Sequence, residues 1–416
     1  MEEYELDSNN KLGSGSYGTV YKIKYNETMN IAGKILRNNE KGLSELGEVN
    51  ILNKFNHPNI LKCINIDIKN KSICIHLPLA SGNLTKILPE TNLKIRTQWV
   101  NELISGVNFM HSNGYYHNDI KPCNILVIDN KSVIADFSLS GHIISGEIDD
   151  CQTIMCKNPQ QLYKHNPKWF DEESIPLLEK TYTNIQTDMW ALGCTIYYIA
   201  HIDYPFFTKQ YHFRKKVFKQ YLDTKTLQKK SKFDDIIKSL LNPNPEELNF
   251  KFLGKDYVFV DGIINNQIPN EKYVVFSPEI KEDFKIIFTW VFKIANQKKL
   301  IDIVIYNTID LYYRSYEIFN IGEDLEICIF TCMFIACKVY NINSFLLKRF
   351  NAEHVFEIEK RIVKYLKGIL DRELLVYYNI PIEKFKKWIL ENPEKYELFT
   401  TVELSKEIDK ITQNDN

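Results

Sequence analysis

Asp119, Lys121, Asn124 and Asp136 carry the clearest chemical meaning in this chain. The first three lie in His117-Asn118-Asp119-Ile120-Lys121-Pro122-Cys123-Asn124, and Asp136-Phe137-Ser138 begins twelve positions beyond the asparagine. Two carboxylates, a lysine and an asparagine at these gaps can hold magnesium and a nucleoside triphosphate against a hydroxyl. Phosphoryl transfer asks a protein for positioning and charge neutralisation more than for covalent chemistry, so residue type and spacing carry most of the message.

Those groups need elements to hold them. Gly13-Ser14-Gly15-Ser16-Tyr17-Gly18-Thr19-Val20-Tyr21 reads as strand, tight turn, strand. Gly13, Gly15 and Gly18 would let backbone N–H groups approach phosphate oxygens with no Cβ in the way. Alone, such a pattern is an ordinary glycine turn. Here Ile31-Ala32-Gly33-Lys34 follows on the next apolar strand, with Lys34 sixteen positions after Gly18. A lysine in an apolar strand is costly unless paired. Glu48 is the expected partner, on a helical stretch ending near Leu52 before the turn His57-Pro58-Asn59.

At 416 residues the chain suits two or three domains, and 44% hydrophobic with 25% charged residues is a globular composition. A net charge of −1 argues against a general polyanion binder, so no nucleic-acid partner is expected. The nine cysteines have no CxxC pair and read as reduced thiols. The acidic start Met1-Glu2-Glu3-Tyr4 lacks a signal-peptide core, and no run reaches the roughly 18 apolar residues of a membrane span. The expected location is cytoplasmic or nuclear, not secreted and not in a membrane. Richness in Ile, Asn, Lys and Tyr suggests an AT-rich source such as a giant virus or parasite. The basic run Lys209–Lys232 reads as a solvated loop, with a docking patch for an acidic partner as the sharper alternative.

From about residue 275, apolar periodicity at three- and four-residue steps predicts five helices: 278–296, 299–317, 322–341, 343–350 and 353–370. The third has almost no charge between Ile327 and Cys337, which places it at the centre of a bundle. The tail from Glu391 to Asn416 is mostly polar.

Over residues 1–262 the ordered series resembles a eukaryotic-type protein kinase. Thr187-Asp188-Met189-Trp190-Ala191-Leu192-Gly193 resembles the segment that anchors the catalytic loop from below, and Lys121 with Thr153 follows the serine/threonine pattern. The resemblance implies a bilobal α+β fold with a β-rich N-lobe and an α-helical C-lobe. It implies ATP and Mg2+ as cofactors and protein substrates. Lys34, held by Glu48, would bind the α- and β-phosphates. Asp119 would orient the substrate hydroxyl and accept its proton, Lys121 would neutralise the γ-phosphate, and Asn124 and Asp136 would hold magnesium. Leu12, Val20, Ala32 and Leu126 resemble the apolar sandwich around adenine; simple core packing is the other reading. Leu77-Pro78-Leu79-Ala80 resembles the hinge, with Leu77 as gatekeeper, Leu79 beside it and Asn83 near the ribose.

After a linker at 263–274, residues 275–390 resemble a single all-α, five-helix cyclin box, followed by a polar tail at 391–416. Trp290, Asp310, Phe334-Ile335-Ala336-Cys337-Lys338 and Ile358-Glu359-Lys360 carry this likeness, while Phe284 stands where an arginine is expected. In cyclins, a lysine and a glutamate at the places of Lys338 and Glu359 grip the kinase beside its regulatory helix. The resemblance therefore implies intramolecular docking on residues 42–48, with Leu46 inserted, activating the kinase in cis.

Several family features are missing. Arginines that clamp an activation-loop phosphate in cyclin-dependent kinases align with Gly47, Asn118 and Gly141, so loop phosphorylation is not the expected switch. Asn158-Pro159-Gln160 replaces Ala-Pro-Glu, and the arginine partner of that glutamate would lie near Leu248. Losing both members strands no charge, whereas losing one costs ~3–5 kcal/mol. Ser138 replaces the glycine after Asp136-Phe137, and Met155-Cys156-Lys157 departs from proline-directed kinases. An alternative reading is a pseudokinase scaffold that binds partners without phosphotransfer.

Overall fold

The computed structural model describes residues 10–15, 18–25, 29–36, 46–69, 72–143, 153–248, 263–264, 278–298, 300–319, 324–340, 350–368, 370–371 and 382–392. The expected helix at 343–350, nearly all of the expected tail and most of the stretch proposed as a docking segment, 42–45, lie outside these residues.

The chain opens with strands β1 (Lys11–Ser14), β2 (Gly18–Tyr25) and β3 (Met29–Leu36). Helix α1 (Leu46–Lys54) then runs into the short strand β4 (Phe55–Asn56). Strands β5 (Asn65–Lys69) and β6 (Ser72–Leu77) complete an antiparallel sheet ordered β1-β2-β3-β6-β5. Isoleucines and valines alternating with polar residues suit a sheet with one face covered.

A helical layer follows. Strand β7 (Gly82–Asn83) and helices α2 (Leu84–Ile87) and α3 (Leu93–Ser112) precede the short strands β8 (Tyr115–Tyr116), β9 (Ile125–Ile128), β10 (Lys131–Ile134) and β11 (Gly141–His142). Helices α4 (Pro159–His165), α5 (Ile175–Leu178), α6 (Asn184–His201), α7 (Lys215–Thr224) and α8 (Asp234–Leu240) complete it. Thr183 starts α6 with a reciprocal cap, taking the Gln186 N–H while the Gln186 side chain takes its own. The result is buried on most sides, from Thr187 to Tyr197, and packs against α3 and α8. The basic run folds back on acids of this layer. Arg214 grips both oxygens of Asp203 (3.0 and 3.1 Å), Lys229 joins it at 2.8 Å, and Lys215 and Lys219 meet Asp171.

The C-terminal half begins with β12 (Ile263–Ile264) and continues as α9 (Pro278–Lys298), α10 (Asp302–Ser315), α11 (Leu325–Val339), α12 (Ala352–Tyr365) and α13 (Ile382–Glu391). Every residue of α11 from Ile327 to Cys337 is buried, and α9, α10 and α12 pack around it, as its uncharged sequence requires. Helix α13 was not expected. Phe385, Trp388 and Ile389 form its buried stripe, and Phe385 meets Tyr306 at 4.8 Å between ring centroids. Among the described residues, no helix is long and apolar enough to cross a membrane.

The two halves share a seam. β12 pairs antiparallel with β4, placing Ile263 opposite Asn56 and Ile264 opposite Phe55. Helix α1 packs on α11, and α12 packs on β5. Gly47 of α1 lies so near the end of α11 that a Cβ there would stand 3.3 Å from the Val339 carbonyl oxygen. The chain leaves α12 through Gly368 at φ +75°, where a Cβ would meet Asn53 Nδ2 and Val49 Cγ1 at 2.8 Å and also strike Ile66. Both the left-handed backbone and the lack of space demand glycine. Gly368→Ala should lower unfolding stability by about 1–3 kcal/mol, measured by denaturant titration.

Candidate active site

The sheet register brings the first set of predicted residues onto one face. Val20 is opposite Lys34, and Ala32 is opposite Leu77. Ala32 and Lys34 are two apart on one strand, so all four side chains point the same way. The segment after Leu77 is tied to the opposite wall, because Asn83 pairs with Leu126 and Ser81 N–H bonds the Val127 carbonyl at 2.9 Å. Leu12 sits in the irregular register between β1 and β2 and is exposed. Nothing stands near the Cβ positions of Gly13 and Gly15, whereas Gly18 is pressed against the Ile35 carbonyl. Asn83 uses its amide oxygen locally, capping α2 by accepting from Lys86 N–H and the Thr85 hydroxyl.

Lys34 is the electrostatic centre. Its ammonium lies 2.7 Å from both oxygens of Glu48 and 3.2 Å from Asp136 Oδ1. Burial works against the Lys34 charge, but Glu48 and Asp136 outweigh it and hold its pKa above the ordinary lysine value. Burial also pushes the Glu48 carboxyl up against the pull of Lys34. With both oxygens on one ammonium, the ion pair is the state the geometry favours. Burial opposes the Asp136 charge too, yet Lys34 and the Ser138 hydroxyl, donating at 3.0 Å, keep its carboxyl below the usual range. The serine in the family's glycine position thus acts as an added donor to Asp136.

Asp119 lies in a second cluster. Lys121 meets its Oδ2 at 2.6 Å, and Thr153 donates to Oδ1 at 3.0 Å while accepting from Lys121 at 2.9 Å. Asn124 donates through Nδ2 to the Asp119 carbonyl and carboxylate at 3.0 and 2.9 Å. That leaves the Asn124 amide oxygen as the group able to ligate a cation. Below, buried Asp188 accepts from the backbone N–H groups of His117 (2.6 Å) and Asn118 (2.7 Å) and pairs with His111 at 3.0 Å. Asn118 has φ +62° and Asp136 has φ +66°, a region that asparagine and aspartate tolerate better than most side chains.

The donor set fits magnesium. Among the described residues no three His, Cys, Asp or Glu side chains gather as a protein-only metal cage. Magnesium usually takes one or two protein oxygens and completes its shell with phosphates and water. Asp136 and Asn124 are such a pair of oxygen donors.

The positions of the missing arginines have been put to other uses. Gly47 faces the Val339 carbonyl, a Cβ at Gly141 would collide with the Tyr116 hydroxyl, and Asn118 is buried. The missing glutamate is also replaced. Gln160 accepts from Tyr182 N–H at 3.4 Å, and the Tyr182 hydroxyl donates to the Pro243 carbonyl at 2.9 Å. Near the expected arginine, Leu248 is buried among apolar neighbours.

At the seam, Lys338 and Glu359 form a buried ion pair with each other, with the Lys338 ammonium 4.0 Å from the centre of the Phe334 ring. Of the stretch they were expected to reach, 42–48, residues 42–45 lie outside the described residues. Described polar contacts across the seam also come from residues that the sequence did not single out. Across the seam, Asp371 accepts from Asn50 Nδ2 (2.9 Å), Lys54 (2.8 Å) and the Tyr115 hydroxyl (2.6 Å), and within its own half from the Tyr340 hydroxyl (3.0 Å). Asn50 Oδ1 in turn accepts from the backbone N–H groups of Leu370 and Asp371. Burial opposes the charge on Asp371, but Lys54 and these donors keep its pKa below the ordinary aspartate value.

His142 stacks edge-on with Tyr115 (4.8 Å) and Tyr340 (6.4 Å) at this hub. Burial, reinforced by Lys54 and opposed by Asp371, pushes its pKa from 6.5 down to about 4. Between those values the unfolded chain binds a proton that the folded chain refuses. The His142 contribution is therefore intact above pH 6.5 and lost as pH falls towards 4. From pH 7 to pH 5, His142→Phe should gain about 2 kcal/mol relative to the unmodified chain, read as the difference between two urea titrations.

The comparisons agree with this geometry. The protein kinase domain family matches residues 6–248, and the cyclin N-terminal domain family matches residues 259–371. A probable cell division protein kinase of Encephalitozoon cuniculi is 32% identical over 191 residues, 45% of this chain and 68% of that protein. Cyclin-dependent kinase F-3 of Oryza sativa is 29% identical over 205 residues, 47% of this chain and 44% of the relative. A serine/threonine-protein kinase candidate of Acanthamoeba polyphaga mimivirus is 30% identical over 204 residues, 46% and 35%. The chain thus spans between about a third and two thirds of these curated relatives. With the first family covering more than half of its length, the chain belongs to the protein kinase family, and a cyclin-type domain follows in the same polypeptide.

Proposed function

We propose that this protein is an active serine/threonine kinase, transferring the γ-phosphoryl group of Mg·ATP to a protein hydroxyl, and that its cyclin-type half activates it in cis. The observation that carries this reading is the closed Lys34–Glu48 pair on a helix held by the other half of the chain.

In this reading residues 1–262 are the catalytic domain and 275–390 the activator. Val20, Ala32, Leu126 and Leu12 enclose the adenine, Leu77 and Leu79 line the hinge, and Asn83 lies towards the ribose. Gly13, Gly15 and Gly18 shape the loop over the phosphates, and Lys34 binds the α- and β-phosphates. Asp136 and Asn124 hold magnesium, which neutralises charge on the phosphate oxygens when bound. Lys121 faces the γ-phosphate. The substrate hydroxyl oxygen bonds to the γ-phosphorus as the bond to the β,γ-bridging oxygen breaks. Asp119 takes the hydroxyl proton, and ADP leaves.

The seam supports activation in cis. A detached α1 would leave Lys34 facing an apolar sheet without Glu48. Twenty-nine residues, 249–277, lie between the end of the matched kinase region and α9, and β12 within them pairs with β4 of the kinase half. A short tether places the partner at roughly millimolar effective concentration, so the activator is always present.

Asp119→Asn should keep a Mg·ATP thermal shift yet lose about 100-fold or more in kcat, whereas Asp136→Asn should lose activity together with the magnesium-dependent part of that shift. Full autophosphorylation by Asp136→Asn would favour a scaffold that copurifies with another kinase. Gly47→Leu, whose side chain grows towards the Val339 carbonyl, should lower kcat about tenfold or more in the full chain. Unchanged activity in that variant would remove activation in cis.

A further inference from the structure

Asp371 is fully buried and accepts hydrogen bonds from α1, β8 and the residue that ends α11. Its two donors on α1, Asn50 and Lys54, stand two and six residues after Glu48, about half a turn and somewhat under two turns along the helix. Its third donor, Tyr115, lies on β8, two residues before His117, whose backbone is fixed by Asp188 at the entrance to the Asp119 loop. β8 pairs with β11, placing Tyr115 opposite His142, and β11 starts five residues after Asp136. The His142 ring rests on both tyrosines that donate to Asp371. One carboxylate therefore fastens directly the helix that carries Glu48 and the strand that leads to Asp119, and through that strand's pairing with β11 and the His142 ring it reaches the segment that follows Asp136.

We propose that Asp371 is a positioning residue, a built-in anion that ties these three segments together and does the work of an activation-loop phosphate with its arginine clamp. The proposal rests on activation in cis and names the side chain that transmits it. A phosphate clamp needs long cations starting from the regulatory helix, the catalytic loop and the start of the activation loop. Those starting points are closed here by the Val339 carbonyl at Gly47, the burial of Asn118 and the Tyr116 hydroxyl at Gly141. The cation is instead Lys54, at the far end of the same helix and equally buried. A carboxylate with four donors in a dry site holds its neighbours strongly, because each donor loses a charged acceptor if the site opens.

The test uses the full chain. Tyr115→Phe removes one hydroxyl and leaves Asp371 three donors, so the seam stays closed. Asp371→Asn keeps the shape and removes the charge. Steady-state kinetics would be measured with ATP and a protein substrate, and hydrogen exchange would follow residues 46–54. Tyr115→Phe should lower kcat about tenfold, the equivalent of one hydrogen bond to a charged group, with KM for ATP within about twofold and α1 still protected. Asp371→Asn should lower kcat further and speed exchange in α1. Wild-type protein stripped by a phosphatase should keep its kcat within about twofold. Normal kcat in both variants, or a tenfold loss after phosphatase treatment, would overturn the role of Asp371. If Gly47→Leu is impaired while both variants are normal, activation in cis stands and the Asp371 tie alone falls. If Gly47→Leu is also normal, both fall.

Discussion

An ammonium set into an apolar sheet is tolerable only where a carboxylate meets it, and the arrangement of this protein follows from that requirement at Lys34. The carboxylate belongs to Glu48, so α1 must lie close to β3. α1 is short, and its other surfaces are buried too: Leu46, Val49, Ile51 and Leu52 are all within the core. What buries them includes the end of α11 and the turn after α12. The Lys34 charge and the helical bundle are thus two ends of one packing problem.

The catalytic groups were legible because their chemistry is written locally. Asp119, Lys121 and Asn124 fall within six residues, and Asp188 sits in the contiguous run Thr187 to Gly193 that carries its own family likeness. α11 announced its central place by lacking charge. The face shared by Val20, Ala32, Lys34 and Leu77 follows from strand alternation once the register is known. The Asp371 hub was not legible. It joins Lys54 to a residue 317 positions away, and neither residue has neighbours that form a pattern. Nothing about a lysine at the end of a helix distinguishes one that ends in solvent from one that ends in another domain. α13 had a readable stripe of Phe385, Trp388 and Ile389, passed over because the five helices expected within 275–390 were already complete at residue 370.

Several departures from the family pattern turn out to be repacked. Gln160 stands in the place of the expected acid and accepts from the Tyr182 backbone, while Leu248, near the expected arginine, is buried and neutral. Buried charge pairs can be exchanged for neutral contacts with little loss when both members go together. Ser138 adds a bond to Asp136 instead of taking one away. The residues proposed to touch the reacting groups are kept, and the supports behind them are rebuilt from different chemistry.

The bare Cα of Gly47 makes one spot on α1 exclusive. Its neighbour is a main-chain carbonyl, which no substitution in the opposing helix can trim away. A long side chain starting there and the end of α11 seated there are alternative occupants of the same space. Any residue larger than glycine at this position therefore acts first on the fit between the two halves, whatever its own chemistry.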